Sequence, residues 1–324
     1  MRPFDYTRPA NTDDVIPLLN AAVRPYAGGT DLLTRMKLDL DTPAQLVDLK
    51  TADLPKGIQK TADGLTIGAL TTLTEIEQSD LLKQSYPLLA EAASLAATPQ
   101  VRNRATLGGN LLQRPRCWYY RNAHVDCWLK GGYDCPARTG RNEHHALFGG
   151  DPCWAVHPSD LAACLLALEA RVTVRGQTGE RELPLSHFFQ LPTADRRQET
   201  VITDDELILS ISIPALPAGA KSTYLKAMDR KVWAFALVGA AVIVRVEANQ
   251  ITDSRLVLSG VAPIPWRLSL AEAELQGRNP SQTDFHAIAE TALAEAEPLE
   301  HNIYKVPLAK RLLQKALVEL TGGA

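Results

Sequence analysis

Several common signals are missing from this sequence, and each absence removes a class of function. No apolar run is long enough to cross a bilayer, so no transmembrane helix is expected. The N-terminus, Met-Arg-Pro-Phe-Asp-Tyr, has no apolar signal core, so the chain is not expected to carry an export address of its own. Charge of neither sign is in excess: 34 Lys and Arg against 37 Asp and Glu give a net charge of −3, which offers no footprint for nucleic acid. There is no Gly-x-Gly-x-x-Gly run and no Walker A loop, so neither a Rossmann nor a P-loop nucleotide site is indicated. The five cysteines include no C-x2–4-C pair, the usual mark of structural zinc. Without a signal peptide, disulfides are a poor default for them.

What is present suits a soluble globular chain of two or three domains, with 45% apolar and 22% charged residues over 324 positions. The first third alternates helix and strand. A helix is expected from Thr12 to about Asn20. Strands are expected over 24–27, 44–49 and 65–70, helices over 74–79 and 87–97, and a short extended piece over 107–111. Ser159 should cap an apolar helix reaching Glu169, followed by strands over 171–174 and 207–213. After Pro214 the pattern changes to long antiparallel strands over 221–228, 234–246 and 255–261, closed by helices over 284–295 and 308–320. Runs of strands followed by helices imply a separate α+β unit beginning near residue 215.

Two loops share one form. Ala27-Gly28-Gly29-Thr30-Asp31 follows an expected strand, and Thr106-Leu107-Gly108-Gly109-Asn110 repeats the Gly-Gly pair. Glycines without Cβ let backbone N–H groups approach an anion closely, as at a diphosphate. One such pair can be only a tight turn; two could face one diphosphate from both sides. Asp160 opens a helix, where a carboxylate commonly serves the helix terminus; it could also accept from a ribityl or ribose hydroxyl. Lys226 reads as a solvated strand end or as a counter-charge for a cofactor.

Four of the five cysteines, Cys117, Cys127, Cys135 and Cys153, crowd into a segment between the second Gly-Gly loop and Ser159 that lacks helical or strand periodicity. A loop of that length is uncommon in a compact domain unless something other than a hydrophobic core orders it. The spacings x9, x7 and x17 match neither zinc ribbons nor ferredoxin runs. They suit a four-thiolate cubane, whose irons each take one ligand from a separate direction, but spacing alone leaves an iron–sulfur cluster, zinc and free thiols all open. His144 and His145 could replace one thiolate or be ordinary surface histidines. Cys164 lies on an apolar helix face and is expected in the core.

Taken together, the motifs resemble the FAD-binding medium subunit of the xanthine dehydrogenase and molybdenum hydroxylase family, over essentially the whole chain. Residues 27–31, 106–110 and Pro158-Ser159-Asp160 match that family's flavin-contact motifs in order. Tyr224-Leu225-Lys226, Phe235-Ala236-Leu237-Val238 and Leu258-Ser259-Gly260-Val261-Ala262 resemble its C-terminal domain. In that resemblance most members pass from Gly-Gly-Asn to Ser-Asp in a short step, whereas this chain runs from Asn110 to Asp160 and carries the cysteine-bearing insertion between them. That departure resembles the subgroup with an added [4Fe–4S] cluster, which includes the 4-hydroxybenzoyl-CoA reductase β subunit and the FAD subunit of bacterial periplasmic aldehyde oxidoreductase.

The resemblance implies an α+β fold: a two-part FAD-binding domain of the PCMH/vanillyl-alcohol-oxidase type over 1–214, with an iron–sulfur insertion over 113–156, then a CO-dehydrogenase-flavoprotein-like domain over 215–324. It implies FAD contacts from Ala27, Gly28, Gly29, Thr30, Asp31, Leu32, Thr106, Gly108, Gly109, Asn110, Asp160, Leu207 and Lys226. It implies a cluster on Cys117, Cys127, Cys135 and Cys153. The implied partners are a large subunit with molybdenum cofactor and a small subunit with [2Fe–2S] clusters, in the cytoplasm or in the periplasm by co-export with a partner carrying a twin-arginine signal. The competing class is a non-catalytic zinc or iron–sulfur scaffold.

Overall fold

Three sheets organise the chain, whose computed structural model describes residues 1–322. The N-terminal lobe holds β1 (Asp5–Thr7), β2 (Val23–Tyr26) and β3 (Gln45–Asp48), paired in parallel in the order β1-β3-β2. The central lobe holds β4 (Ile58–Lys60), β5 (Gly64–Gly68), β6 (Arg171–Gly176), β7 (Gly179–Pro184) and β8 (Leu207–Pro214) in the antiparallel order β4-β5-β8-β6-β7. The C-terminal unit holds β9 (Lys221–Ala227), β10 (Val238–Glu247), β11 (Gln250–Ser259) and β12 (Trp266–Arg267), antiparallel in the order β12-β11-β10-β9. No helix among the described residues is long and apolar enough to cross a membrane.

Strand β10 shows why two layers form against the C-terminal sheet. Its sequence Val-Gly-Ala-Ala-Val-Ile-Val is apolar at every position, so both pleat faces need cover. Val242 and Val244 face a core with Leu313 and Leu317 of the last helix, Lys305–Thr321. Ala241 and Ile243 face the other way, into the core that contains the helix Asp160–Ala167. Every residue of that helix is buried, as an all-round apolar helix must be. At ~1.5–3 kcal/mol for each fully buried large aliphatic side chain, this shared layer fastens the C-terminal sheet to the central lobe.

Three expectations need correction. Residues 107–111 are helical, not extended: Thr106 supplies an N-cap, and the cap outweighs the low helix propensity of two glycines. The strand expected from Ala234 begins only at Val238, because residues 228–237 form a loop with Trp233 at φ 55°. The cysteine insertion is also not short of apolar contacts. Tyr120, Trp128, Leu129 and Ala155 pack around Cys127 and Cys153, while Ala137, Ala146 and Trp154 pack around Cys135. Leu147 and Phe148 enter the core of the C-terminal unit, where Phe148 stacks on Trp266 at 5.1 Å between ring centroids.

Candidate functional site

Strand β2 delivers the chain into the first Gly-Gly loop, and the helix Leu32–Lys37 leads out of it. Gly29 adopts φ 72°, where a side chain is strained. Among the described residues, the backbone N–H groups of Gly28, Gly29, Thr30, Asp31 and Leu32 donate to no protein acceptor. Consecutive free donors of this kind form an anion-binding concavity. The second loop differs. Leu107 N–H donates to Thr71 O, Gly108 N–H to Ala69 O and Gly109 N–H to Thr106 Oγ1. Its glycines therefore contribute bare space rather than donors: a Cβ on Gly109 would meet nothing but Thr106 Oγ1, at 3.1 Å. The loops touch through Gly28, whose added Cβ would lie 1.9 Å from the Arg104 carbonyl oxygen. Between them lies a cavity of about 210 Å³, lined by both Gly-Gly pairs, Ala27, Thr30, Leu32 and Thr106, with Leu207 among its apolar walls.

The Asp31 side chain turns into a cluster of arginines. It pairs with Arg116 at 2.7 Å, Arg121 at 2.8 Å and Arg35 at 3.3 Å, and it accepts from Arg114 N–H at 3.1 Å. Burial raises its pKa, but the three guanidinium charges outweigh that and hold the carboxyl below its ordinary range. Three of these four arginines lie in the insertion, so Asp31 ties the first Gly-Gly loop to the cysteine segment.

Asp160 and Lys226 meet. Lys226 Nζ donates to Asp160 Oδ2 at 2.7 Å and to Leu95 O at 3.0 Å. Tyr224 Oη donates to Asp160 Oδ1 at 2.6 Å. Burial, reinforced by the Asp160 charge, pushes the Tyr224 hydroxyl well above its ordinary pKa, so it stays a donor. Tyr224 was missed from sequence, although its position two residues from Lys226 on one strand face was a usable signal. Ser159 caps the Asp160 helix and donates to Asn110 Oδ1 at 2.5 Å, linking the second Gly-Gly loop to it. Asn110, Asp160, Lys226 and Thr30 line a cavity of about 400 Å³ together with Arg116 and Phe235. Thr30 joins it to the 210 Å³ cavity, and Arg116 and Asp160 also line a third cavity of about 640 Å³ that reaches Cys117.

The insertion brings the four thiols into one neighbourhood. All are free, and Cys135 interacts electrostatically with Cys117, Cys127 and Cys153. Backbone N–H groups face the sulfurs: Tyr119 and Tyr120 at Cys117, Leu129 and Lys130 at Cys127, Ala155 at Cys153. Burial pushes the Cys117 thiol up to about 12 and also raises Cys127 and Cys153, so ionised sulfurs here require a cation. Among the described residues no three His, Cys, Asp or Glu side chains converge on a single metal-ion position. A cubane spreads its four ligands over four irons and asks for no such convergence. His145 Nε2 lies 3.2 Å from Cys117 Sγ, while His144 is exposed. Cys164 is in the core as expected.

Residues 2–216 match the family described as the FAD binding domain in molybdopterin dehydrogenase, and residues 223–320 match the CO dehydrogenase flavoprotein C-terminal domain. The chain belongs to the FAD-binding medium subunits of the xanthine dehydrogenase and CO dehydrogenase family. It is 37% identical over 302 residues to an aldehyde oxidoreductase FAD-binding subunit of Escherichia coli (strain K12), covering 92% of this chain and 91% of that one. It is 29% identical over 321 residues to a carbon monoxide dehydrogenase medium chain of Hydrogenophaga pseudoflava, covering 97% and 96%. A solved carbon monoxide dehydrogenase from that organism superposes with a TM-score of 0.77 over 98% of this chain and 97% of the other, at 29% identity.

This medium subunit binds FAD and transfers electrons within a multi-subunit molybdenum oxidoreductase. The site fits the cofactor: a row of free N–H donors, an open glycine face and three joined cavities provide for a diphosphate, a ribityl chain and two ring systems.

Proposed function

We propose that this medium subunit is the electron outlet of a molybdenum complex that oxidises an aldehyde or a heteroaromatic compound. In this reading, Cys117, Cys127, Cys135 and Cys153 hold a [4Fe–4S] cluster beside the flavin. A large subunit with molybdenum cofactor and a small subunit with [2Fe–2S] clusters complete a heterotrimer, and electrons leave through FAD to an external acceptor. The observation that supports this reading is the 640 Å³ cavity lined by both Cys117 and Asp160.

Bound FAD supplies exchange between one-electron and two-electron chemistry. The chain's own residues position it. The N–H groups of residues 28–32 take the diphosphate, with the Thr30 and Thr106 hydroxyls beside it. Leu207 and its apolar neighbours in the same cavity would hold an apolar part of the cofactor. Asp160, steadied by Tyr224 and Lys226, keeps lone pairs for a ribityl hydroxyl. The FAD-binding part spans residues 1–214 with its insertion at 113–156, and the C-terminal flavoprotein unit follows from 215 to 324. The compartment follows the partners: cytoplasm, or periplasm by co-export with a twin-arginine partner.

The test is a visible spectrum with iron and zinc analysis of anaerobically purified protein. Stoichiometric FAD and about four irons per chain is the expected result. Zinc without iron would overturn the cluster assignment while leaving the flavin assignment intact.

A further inference from the structure

Lys226 was the expected counter-charge for the flavin, but its ammonium is neutralised by Asp160 at 2.7 Å. Other cations of the groove are less fully matched; Arg230, which also lines the 640 Å³ cavity, is turned onto the Trp233 carbonyl. Arg114 is matched by Glu199 at 2.8 Å, and Arg35 reaches Asp41 at 3.2 Å as well as Asp31. Arg116 and Arg121 are left to share the single carboxylate of Asp31. Of the two, only Arg116 lines the groove, and it lines both the 400 Å³ and the 640 Å³ cavities. Its guanidinium lies over the Phe235 ring at 5.1 Å, and its Nη2 donates to Gln113 Oε1 at 3.1 Å. Its Nε–H is buried and has no partner. An unmade charge-assisted hydrogen bond inside a protein is costly, so a groove ligand is the natural acceptor.

We infer that Arg116 is the residue that stabilises reduced FAD, donating from its guanidinium to the pyrimidine edge of the flavin ring. The inference rests on the proposed FAD site, with the ring in the cavities that Asp160, Arg116 and Phe235 line together. Two-electron reduction with uptake of one proton leaves a negative charge on that edge, and positive charge nearby favours the reduced form. A guanidinium stays protonated in proteins, so the charge is present at neutral pH. The residue immediately before the first cluster cysteine thereby becomes part of the flavin site, and the insertion serves both cofactors.

The experiment is an equilibrium redox titration of the flavin in purified wild-type protein, Arg116→Gln and Arg116→Lys, with FAD and iron content measured in each. Arg116→Gln should keep FAD and iron and lose about tenfold or more of its preference for reduced over oxidised flavin, seen as a lower flavin potential. Arg116→Lys, which keeps a charge but not the planar fork, should fall between. An unchanged potential in Arg116→Gln with FAD retained overturns the inference. Weakened FAD retention with an unchanged potential also overturns it, because that result marks a diphosphate contact. Absence of FAD from the wild-type protein would instead fail the flavin assignment itself.

Discussion

Lys226 Nζ and Asp160 Oδ2 lie 2.7 Å apart, with side chains only 1% and 5% exposed, and they join β9 of the C-terminal unit to the helix that lines the flavin groove. Removing one partner of a buried pair strands the other, at a cost of ~3–5 kcal/mol. Lys226→Met should therefore destabilise the FAD-free chain by about that much in denaturant unfolding. The double variant Asp160→Asn/Lys226→Met should cost clearly less than the sum of the two single changes. Strict additivity would show that the contact contributes nothing as a pair.

The glycines separate folding from cofactor binding. Gly28→Ala would drive a Cβ to within 1.9 Å of the Arg104 carbonyl, which belongs to backbone and cannot swing aside. That variant should unfold more easily with or without FAD. Gly109→Ala meets only the Thr106 hydroxyl at 3.1 Å and otherwise points into the groove. It should fold, with unfolding close to wild type, yet bind FAD at least about tenfold more weakly, equivalent to ~1.4 kcal/mol. A titration of cofactor-free protein with FAD would read the difference; equal affinities would mean the diphosphate does not pass Gly109.

Much of this groove was legible in the sequence, because glycine pairs and a Ser-Asp helix start are local signals. The Ser159 cap and the apolar helix after it form as expected. What was not legible depends on distant partners. Asp31 reads as part of a phosphate loop, but its partners Arg116 and Arg121 lie far along the chain, in the insertion. Lys226 reads as a free charge until Asp160 is brought to it. The insertion appeared to lack a core because Leu147 and Phe148 find theirs at Val261 and Trp266. The helix at Leu107–Leu111 was obscured by its two glycines, whose propensity argument lost to a cap and to tethers on Thr71 and Ala69.

Lys305 is fully buried, and no carboxylate lies within ion-pair distance of it among the described residues. Its Nζ donates to His145 O at 3.0 Å and Gly260 O at 2.8 Å, clamping the insertion to the C-terminal unit. Burial lowers its pKa to about 7. Below that pH the ammonium is charged in both folded and unfolded chains, and folding bears the whole desolvation penalty. Between pH 7 and the ordinary lysine value of about 10.4, only the folded state sheds the proton, so this group makes stability rise with pH. Denaturant midpoints at pH 7 and pH 9 should rise more in wild type than in Lys305→Met. Parallel pH dependences in the two proteins would show that Lys305 does not titrate in this window.

The proposed cluster could serve as an electron relay or as a structural or electron-storing element. Cys117 and Asp160 line one cavity, but a shared cavity does not make a route obligatory. The insertion's aromatic contacts and the Asp31, Asn302 and Lys305 anchors would hold part of the segment without a cluster, whereas the four thiols would lose the group they surround. A structural or electron-storing role therefore fits better than a compulsory step. Cys127→Ser should lose iron and expose residues 114–154 to protease, and Cys164→Ala should leave iron unchanged, since Cys164 lies in the core. In an assembled complex carrying Cys127→Ser and full FAD, stopped-flow reduction of the flavin by substrate should keep much of the wild-type rate. A collapse of that rate, with FAD content and assembly intact, would show that electrons must pass through the cluster.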